Sequence, residues 1–267
     1  MNEFKQIAIV GSGPGHPDFL TKRAMDYINQ ADILLYDCLV DPLILTAVPA
    51  HIKQERVEKK YKIGNGIDIF DQDILSRMME CADAGLQVVR IKPGDSMNFN
   101  SGGMENNYLT RKGYQVEMVA GVSAHVAASN LHGLNLTEIG QSNASATCII
   151  DDIREQEKQL ADLAHLMKYS SMPVCFYPMN VAAVKGLVAT MQNNEICNKM
   201  PVAICCDVSL TSSKLIETKL GDCADLLDIL ANDDQLPDHF IIIMGKHIFN
   251  NYVDFKTTTK ENTHALL

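Results

Sequence analysis

The stretch Gly11-Ser12-Gly13-Pro14-Gly15-His16-Pro17 follows the apolar run Ile7-Ala8-Ile9-Val10 and precedes a segment with helical spacing. A strand that empties into such a loop and then a helix lets a ligand approach bare backbone. Other positions carry side chains able to do chemistry. Asp37 ends a second apolar run, Ile33–Tyr36, where a carboxylate can take up a proton or cap a turn. Arg56-Val57-Glu58-Lys59-Lys60-Tyr61-Lys62 is the densest basic run: a candidate anchor for an anionic small molecule, or a solvated loop. Asp95 follows Pro93-Gly94, where it can accept from a hydroxyl or amine or simply close a turn.

A dinucleotide fingerprint needs G-x-G-x-x-G and an acid about 20 residues on. Gly11 and Gly13 fit and Asp37 mimics the acid, but His16 stands at the third glycine and Pro14 and Pro17 stiffen the turn. A nucleotide-binding dehydrogenase therefore stays open only as an alternative. No phosphate loop of the G-x-x-x-x-G-K-[ST] type is present. None of the eight cysteines forms a C-x-x-C pair, and no His cluster has zinc spacing, so no metal site is expected. Most cysteines sit in apolar runs, as buried small residues in a reducing compartment do.

These groups need elements to hold them. The 267 residues, 46% hydrophobic and 21% charged, have globular composition and suit one large or two smaller domains. The net charge of −10 argues against an extended nucleic-acid surface, and no apolar run reaches the roughly 18 residues of a membrane span. The N-terminus lacks a secretory pattern, so a cytoplasmic location is expected. Strands are predicted at 6–10, 33–36, 52–57, 87–91 and 114–118, and helices at 21–30, 42–48, 71–84 and 104–112. Thr21 is a plausible N-cap, and Gly85 and Gly113 mark helix stops. That alternation predicts a parallel sheet covered by helices. Residues 1–135 form the expected N-terminal α/β domain, 136–145 a linker, 146–250 a C-terminal α/β domain and 251–267 a tail. In the second domain, strands are predicted at 146–151, 174–177, 202–206, 214–218 and 239–244, with helices at 155–168, 182–192 and 222–230. The strands at 202–206 and 214–218 are expected to pair as an antiparallel hairpin.

Taken in order, Gly11–Pro17, Leu20-Thr21, Tyr36-Asp37-Cys38-Leu39-Val40, Arg90-Ile91-Lys92-Pro93-Gly94-Asp95, Ser101-Gly102-Gly103 and Ala120-Gly121-Val122-Ser123-Ala124 resemble the motifs of the tetrapyrrole methylase family, most closely its uroporphyrinogen-III C-methyltransferases. The resemblance continues through Phe176-Tyr177, Met179, Pro201-Val202-Ala203 and Ile242-Ile243-Met244-Gly245. It implies two α/β domains with the cofactor in the cleft between them, and a homodimer. It also implies S-adenosylmethionine as methyl donor, S-adenosylhomocysteine as product, and an anionic tetrapyrrole substrate, uroporphyrinogen-III, converted to precorrin-2 for siroheme or cobalamin synthesis. By the same resemblance Asp37 is the proton acceptor and Lys59 the proton donor. Pro14, Pro93, Gly94, Asp95, Asn98, Ser123, Ala124, Met179 and Val208 bind the cofactor. The chain departs from the family at the substrate side: Ser101 stands where the family has arginine, the natural bidentate partner for substrate carboxylates. Lys92, Arg56, Lys59, Lys60 and Lys62 are the expected compensating cations. A methylase of another precorrin or of a different substrate, and a catalytically silent cofactor-binding protein, remain alternatives.

Overall fold

Which strands neighbour which, and on which face each helix lands, decides where a ligand can enter an α/β sheet. A computed structural model describes residues 6–36, 40–57, 72–151, 153–233, 236–237 and 240–249. Its contacts divide the chain into two units: Met1–Leu131 with Cys206–Lys214, and His132–Cys205 with Leu215–Leu267. The return of Cys206–Lys214 to the first unit is not announced by the sequence. Among the described residues no helix is long and apolar enough to cross a membrane.

The first unit alternates β1 (Ile7–Gly11), α1 (Lys22–Asn29), β2 (Ile33–Tyr36), α2 (Pro42–Thr46), β3 (Lys53–Arg56), α3 (Gln72–Asp83), β4 (Val88–Lys92), α4 (Gly102–Arg111), β5 (Val116–Val119) and α5 (Ala124–His132). The sheet order is β3-β2-β4-β1-β5, and its pairings are parallel, with Gly11 opposite Lys92 and Tyr36 opposite Ile91. The predicted strands and helices recur with shifts of one or two residues at their ends. The edge strand β3 is polar along its length, which discourages pairing with another chain. Arg77 of α3 grips its Glu55 with two hydrogen bonds of 2.7 and 3.0 Å.

Local chemistry sets the helix ends. Thr21 Oγ1 accepts from the Ala24 amide at 3.1 Å, and Asp41 Oδ1 from the Leu43 amide at 2.8 Å ahead of Pro42. Gly85 and Gly113, with φ of 82° and 96°, leave α3 and α4 through the left-handed region that a side chain resists.

Period-two alternation then sorts the core. Ala8, Val10, Leu34, Val89 and Ile91 pack with Ala24 and Ile28 of α1 and Ile44 of α2. Ile7, Ile9, Ile33, Leu35 and Val88 pack with Ile74 and Met78 of α3 and Leu109 of α4. Helices α1 and α2 thus cover one face, and α3 and α4 the other.

The second unit contains β6 (Ala146–Ile150), α6 (Ile153–Ser170), β7 (Val174–Pro178), α7 (Val181–Asn193), β8 (Pro201–Cys206), β9 (Lys214–Lys219), α8 (Leu220–Asn232) and β10 (Phe240–Met244). Its order is β6-β7-β10-β8-β9, with β6 parallel and β10 antiparallel to β7. Strands β8 and β9 are neighbours, and their connection is too short for a parallel crossover, in keeping with the expected hairpin. Among the described residues no cysteine forms a disulfide; all but Cys197 are buried, and burial pushes Cys175 up to about 12, which keeps it protonated.

Candidate functional site

In an open parallel sheet, ligands enter at the carboxyl ends of strands whose connections leave to opposite faces. Strand β4 leads to α4 on one face, while its neighbours β1 and β2 lead to α1 and α2 on the other. The carboxyl end of β4 is therefore a switch point, and the loops 12–16, 93–101 and 120–123 all emerge beside it.

The backbones of these loops are packed together. Gly13 and Gly94 exchange two hydrogen bonds, of 3.1 and 2.8 Å, and the Ser12 amide donates to Lys92 O at 2.8 Å. A Cβ on Gly121 would lie 2.1 Å from Gly94 O, and one on Gly11 2.7 Å from Gly121 N. These glycines are needed for strand-end packing. The His16 amide is also engaged, donating to Ser209 Oγ at 3.0 Å within the same unit. The amides of Ser12, Gly13 and His16 are thus taken up within the protein, in keeping with the absence of a dinucleotide fingerprint. Gly94 itself (φ 62°) is open on its side-chain face: a Cβ there would meet nothing within 4 Å.

Around that opening stand most of the expected cofactor residues. Pro14 lies between Gly13 and Gly15, both at positive φ. The Pro93 carbonyl accepts from Asn100 Nδ2 at 3.0 Å. Asp95 accepts from the Met97 amide through Oδ1 at 2.9 Å and from the Gly121 amide through Oδ2 at 3.0 Å. It therefore closes its own turn and braces the neighbouring loop, while a carboxylate's remaining lone pairs can still receive a ligand donor. Asn98 Nδ2 donates to Ser123 Oγ at 3.1 Å, which joins two residues picked separately from the sequence. Ala124 opens α5, with the Ser123 carbonyl accepting its first amides. Val208 is buried in the returning segment, between Asp207 and Ser209 at positive φ. Met179 belongs to the second unit, exposed just beyond β7, its amide on Ile150 O at 2.9 Å. The expected proton acceptor Asp37 and donor Lys59 lie outside the described residues, as do Lys60 and Lys62.

Lys92 is not available to compensate for the missing arginine. Arg90 and Lys92 alternate with Val89 and Ile91, so both point to the α3/α4 face, where they are fully buried. Lys92 Nζ donates to Glu105 Oε1 at 2.6 Å and to Ser101 Oγ at 2.9 Å; Ser101 Oγ donates to Glu105 Oε1 at 2.8 Å; Arg90 Nε stands 3.7 Å from Glu105 Oε2. Burial works against the Glu105 charge, but Arg90, then Lys92 and the hydrogen bonds, outweigh it and hold the carboxyl below its ordinary value. The sequence reading missed this cluster. The signal was there: two cations in a central strand require a buried acid nearby. Arg56, in contrast, is exposed on the edge strand.

A family model described as Tetrapyrrole (Corrin/Porphyrin) Methylases matches residues 6–224. A siroheme synthase of Hahella chejuensis is 28% identical over 240 residues, 90% of this chain and 49% of that protein. A uroporphyrinogen-III C-methyltransferase of Synechococcus elongatus is 33% identical over 134 residues, 50% of this chain and 54% of that protein. The chain thus spans about half the length of these curated relatives. A uroporphyrin-III C-methyltransferase of Thermus thermophilus, solved with S-adenosylhomocysteine, superposes with a TM-score of 0.68 at 24% identity, over 90% of this chain and 97% of that one. At that identity the likeness establishes the fold.

The depressed Glu105 value has a consequence for stability. Its contribution is full above the unfolded carboxyl value of about 4.3 and is lost as pH falls through the lower folded value. Urea unfolding followed from about pH 6 to about pH 3 should show stability falling more steeply in the wild type than in Glu105→Gln. Parallel curves would contradict the arrangement.

Proposed function

Because the chain belongs to the tetrapyrrole (corrin/porphyrin) methylases, we propose that it transfers methyl groups from S-adenosylmethionine to carbon atoms of uroporphyrinogen-III, giving precorrin-2 for siroheme or cobalamin synthesis. The observation that carries this reading is the convergence of Pro14, Gly94, Asp95, Asn98 and Ser123 at the carboxyl ends of β1, β4 and β5. These are positions where the chain follows the family's donor-binding motifs.

The residues present suit the donor. Gly94 leaves open space, Asp95 keeps acceptor capacity for an amine or ribose hydroxyl, and Pro14 offers an apolar wall. Ala124, Pro93 and Val208 complete the first unit's share of the binding set. S-adenosylmethionine supplies a methyl on a sulfonium, a strong electrophile that needs no metal. The protein's part is to align the pyrrole carbon with it at roughly 3–3.5 Å and to exclude water. The Asp37 carboxylate, directly after β2, takes the proton that the methylated carbon must lose. Lys59 serves as proton donor or as a cation for substrate carboxylates. The enzyme works as a cytoplasmic homodimer in this reading. One observation favours a second substrate within the family: Ser101 replaces the family arginine and Lys92 is tied to Glu105, so fewer cations are available to a highly anionic macrocycle.

Calorimetry should detect binding of S-adenosylhomocysteine and none of NAD; the reverse would overturn the donor assignment. Incubation with uroporphyrinogen-III and S-adenosylmethionine should yield products heavier by whole methyl groups in mass spectrometry. Donor binding without such products would reject this substrate and leave the second one. Asp37→Asn should lower turnover by about a hundredfold or more while leaving donor affinity near wild type; unchanged turnover would remove Asp37 from the mechanism.

A further inference from the structure

Ser101 occupies the N-cap of α4 yet makes no side-chain capping bond. Serine is favoured at that position because its hydroxyl accepts from the helix's first amides. Here the hydroxyl turns inward, accepting from Lys92 Nζ at 2.9 Å and donating to Glu105 Oε1 at 2.8 Å. Lys92 is the last residue of β4, and Ser101 directly precedes α4. The two ends of the 93–100 loop are therefore tied to each other and to one buried carboxylate.

We propose that Ser101, with Lys92 and Glu105, forms a clamp that sets the pose of the 93–100 loop for donor binding, so that Ser101 is a positioning residue; this rests on the methyl-donor reading above. The loop inside the clamp is tightly determined. Asn100 Nδ2 reaches back to the carbonyls of Pro93 at 3.0 Å and Asp95 at 3.4 Å. The Gly102 amide donates to Ser96 O at 3.2 Å, and a Cβ on Gly102 would come within 2.2 Å of that oxygen. Phe99 is held at φ 53°, a conformation a non-glycine residue keeps only when its surroundings impose it. The loop's two outward reaches, Asp95 to Gly121 and Asn98 to Ser123, place the donor-facing groups. Stability alone does not call for this cluster, since well-packed apolar residues often replace buried ion pairs without loss. The Ser101 hydroxyl suits this place because it can accept from Lys92 and donate to Glu105 at once.

The test compares the full chain as wild type, Ser101→Ala and Ser101→Thr, by amide hydrogen exchange without ligand and by calorimetry with S-adenosylhomocysteine. In Ser101→Ala the amides of Met97, Gly102 and Gly121 should exchange about tenfold faster while those of β1 and β2 keep their wild-type rates. Donor-product affinity should fall about tenfold. Ser101→Thr, which keeps the hydroxyl, should restore both. Wild-type exchange and affinity in Ser101→Ala, or acceleration spread evenly over the sheet, would overturn the clamp. If the wild type itself does not bind S-adenosylhomocysteine, the donor reading falls, and with it the clamp's role in binding.

Discussion

The ion pair between Lys92 and Glu105 is the interaction on which the site depends. A central strand must offer side chains to both faces of its sheet. On the α1/α2 face β4 offers Val89 and Ile91, which pack as ordinary core. On the other face Val88 is followed by Arg90 and Lys92, both fully buried. Taking such charges out of water costs several kcal/mol for each ion, and the fold bears this because α4 brings Glu105 against them. That requirement fixes how α4 sits on β4, and so fixes both ends of the loop between them.

A second constraint acts beside it. The backbones at the ends of β1, β4 and β5 approach so closely that Gly11 and Gly121 have no room for a side chain. The glycine loop and the β4 loop are thus joined amide to carbonyl, and Asp95 extends the joint to the turn before α5. Ion cluster and glycine junction together give a rigid edge on which Gly94 is the open position. That edge is where the proposed methyl donor would sit.

Much of this was legible in the sequence, for physical reasons that differ by residue. Ile33–Tyr36 is a short apolar run with clear breakers, and β2 has those bounds. Thr21, Gly85 and Gly113 carry their signals in one residue each, and each acts as expected. Helix α5 is not among the predicted helices because Ala124–His132 mixes small, polar and apolar residues with little periodic contrast. The pairing of Asn98 with Ser123 and the approach of Ser209 to His16 depend on long-range contacts that local patterns do not encode. Lys92 was misread as a substrate cation because its burial follows from strand register, and its partner lies a loop and a helical turn away.

The central claim is that the carboxyl edge of the first sheet, around Gly94, holds the adenosyl methyl donor. A crystal structure of the protein with S-adenosylhomocysteine tests it most directly. The account predicts the ligand seated over Gly94, in contact with Pro14, Asp95 and the Ser123–Ala124 turn, with the Lys92–Ser101–Glu105 cluster unchanged. A ligand bound away from that edge, or seated there only after the cluster has come apart, would contradict it.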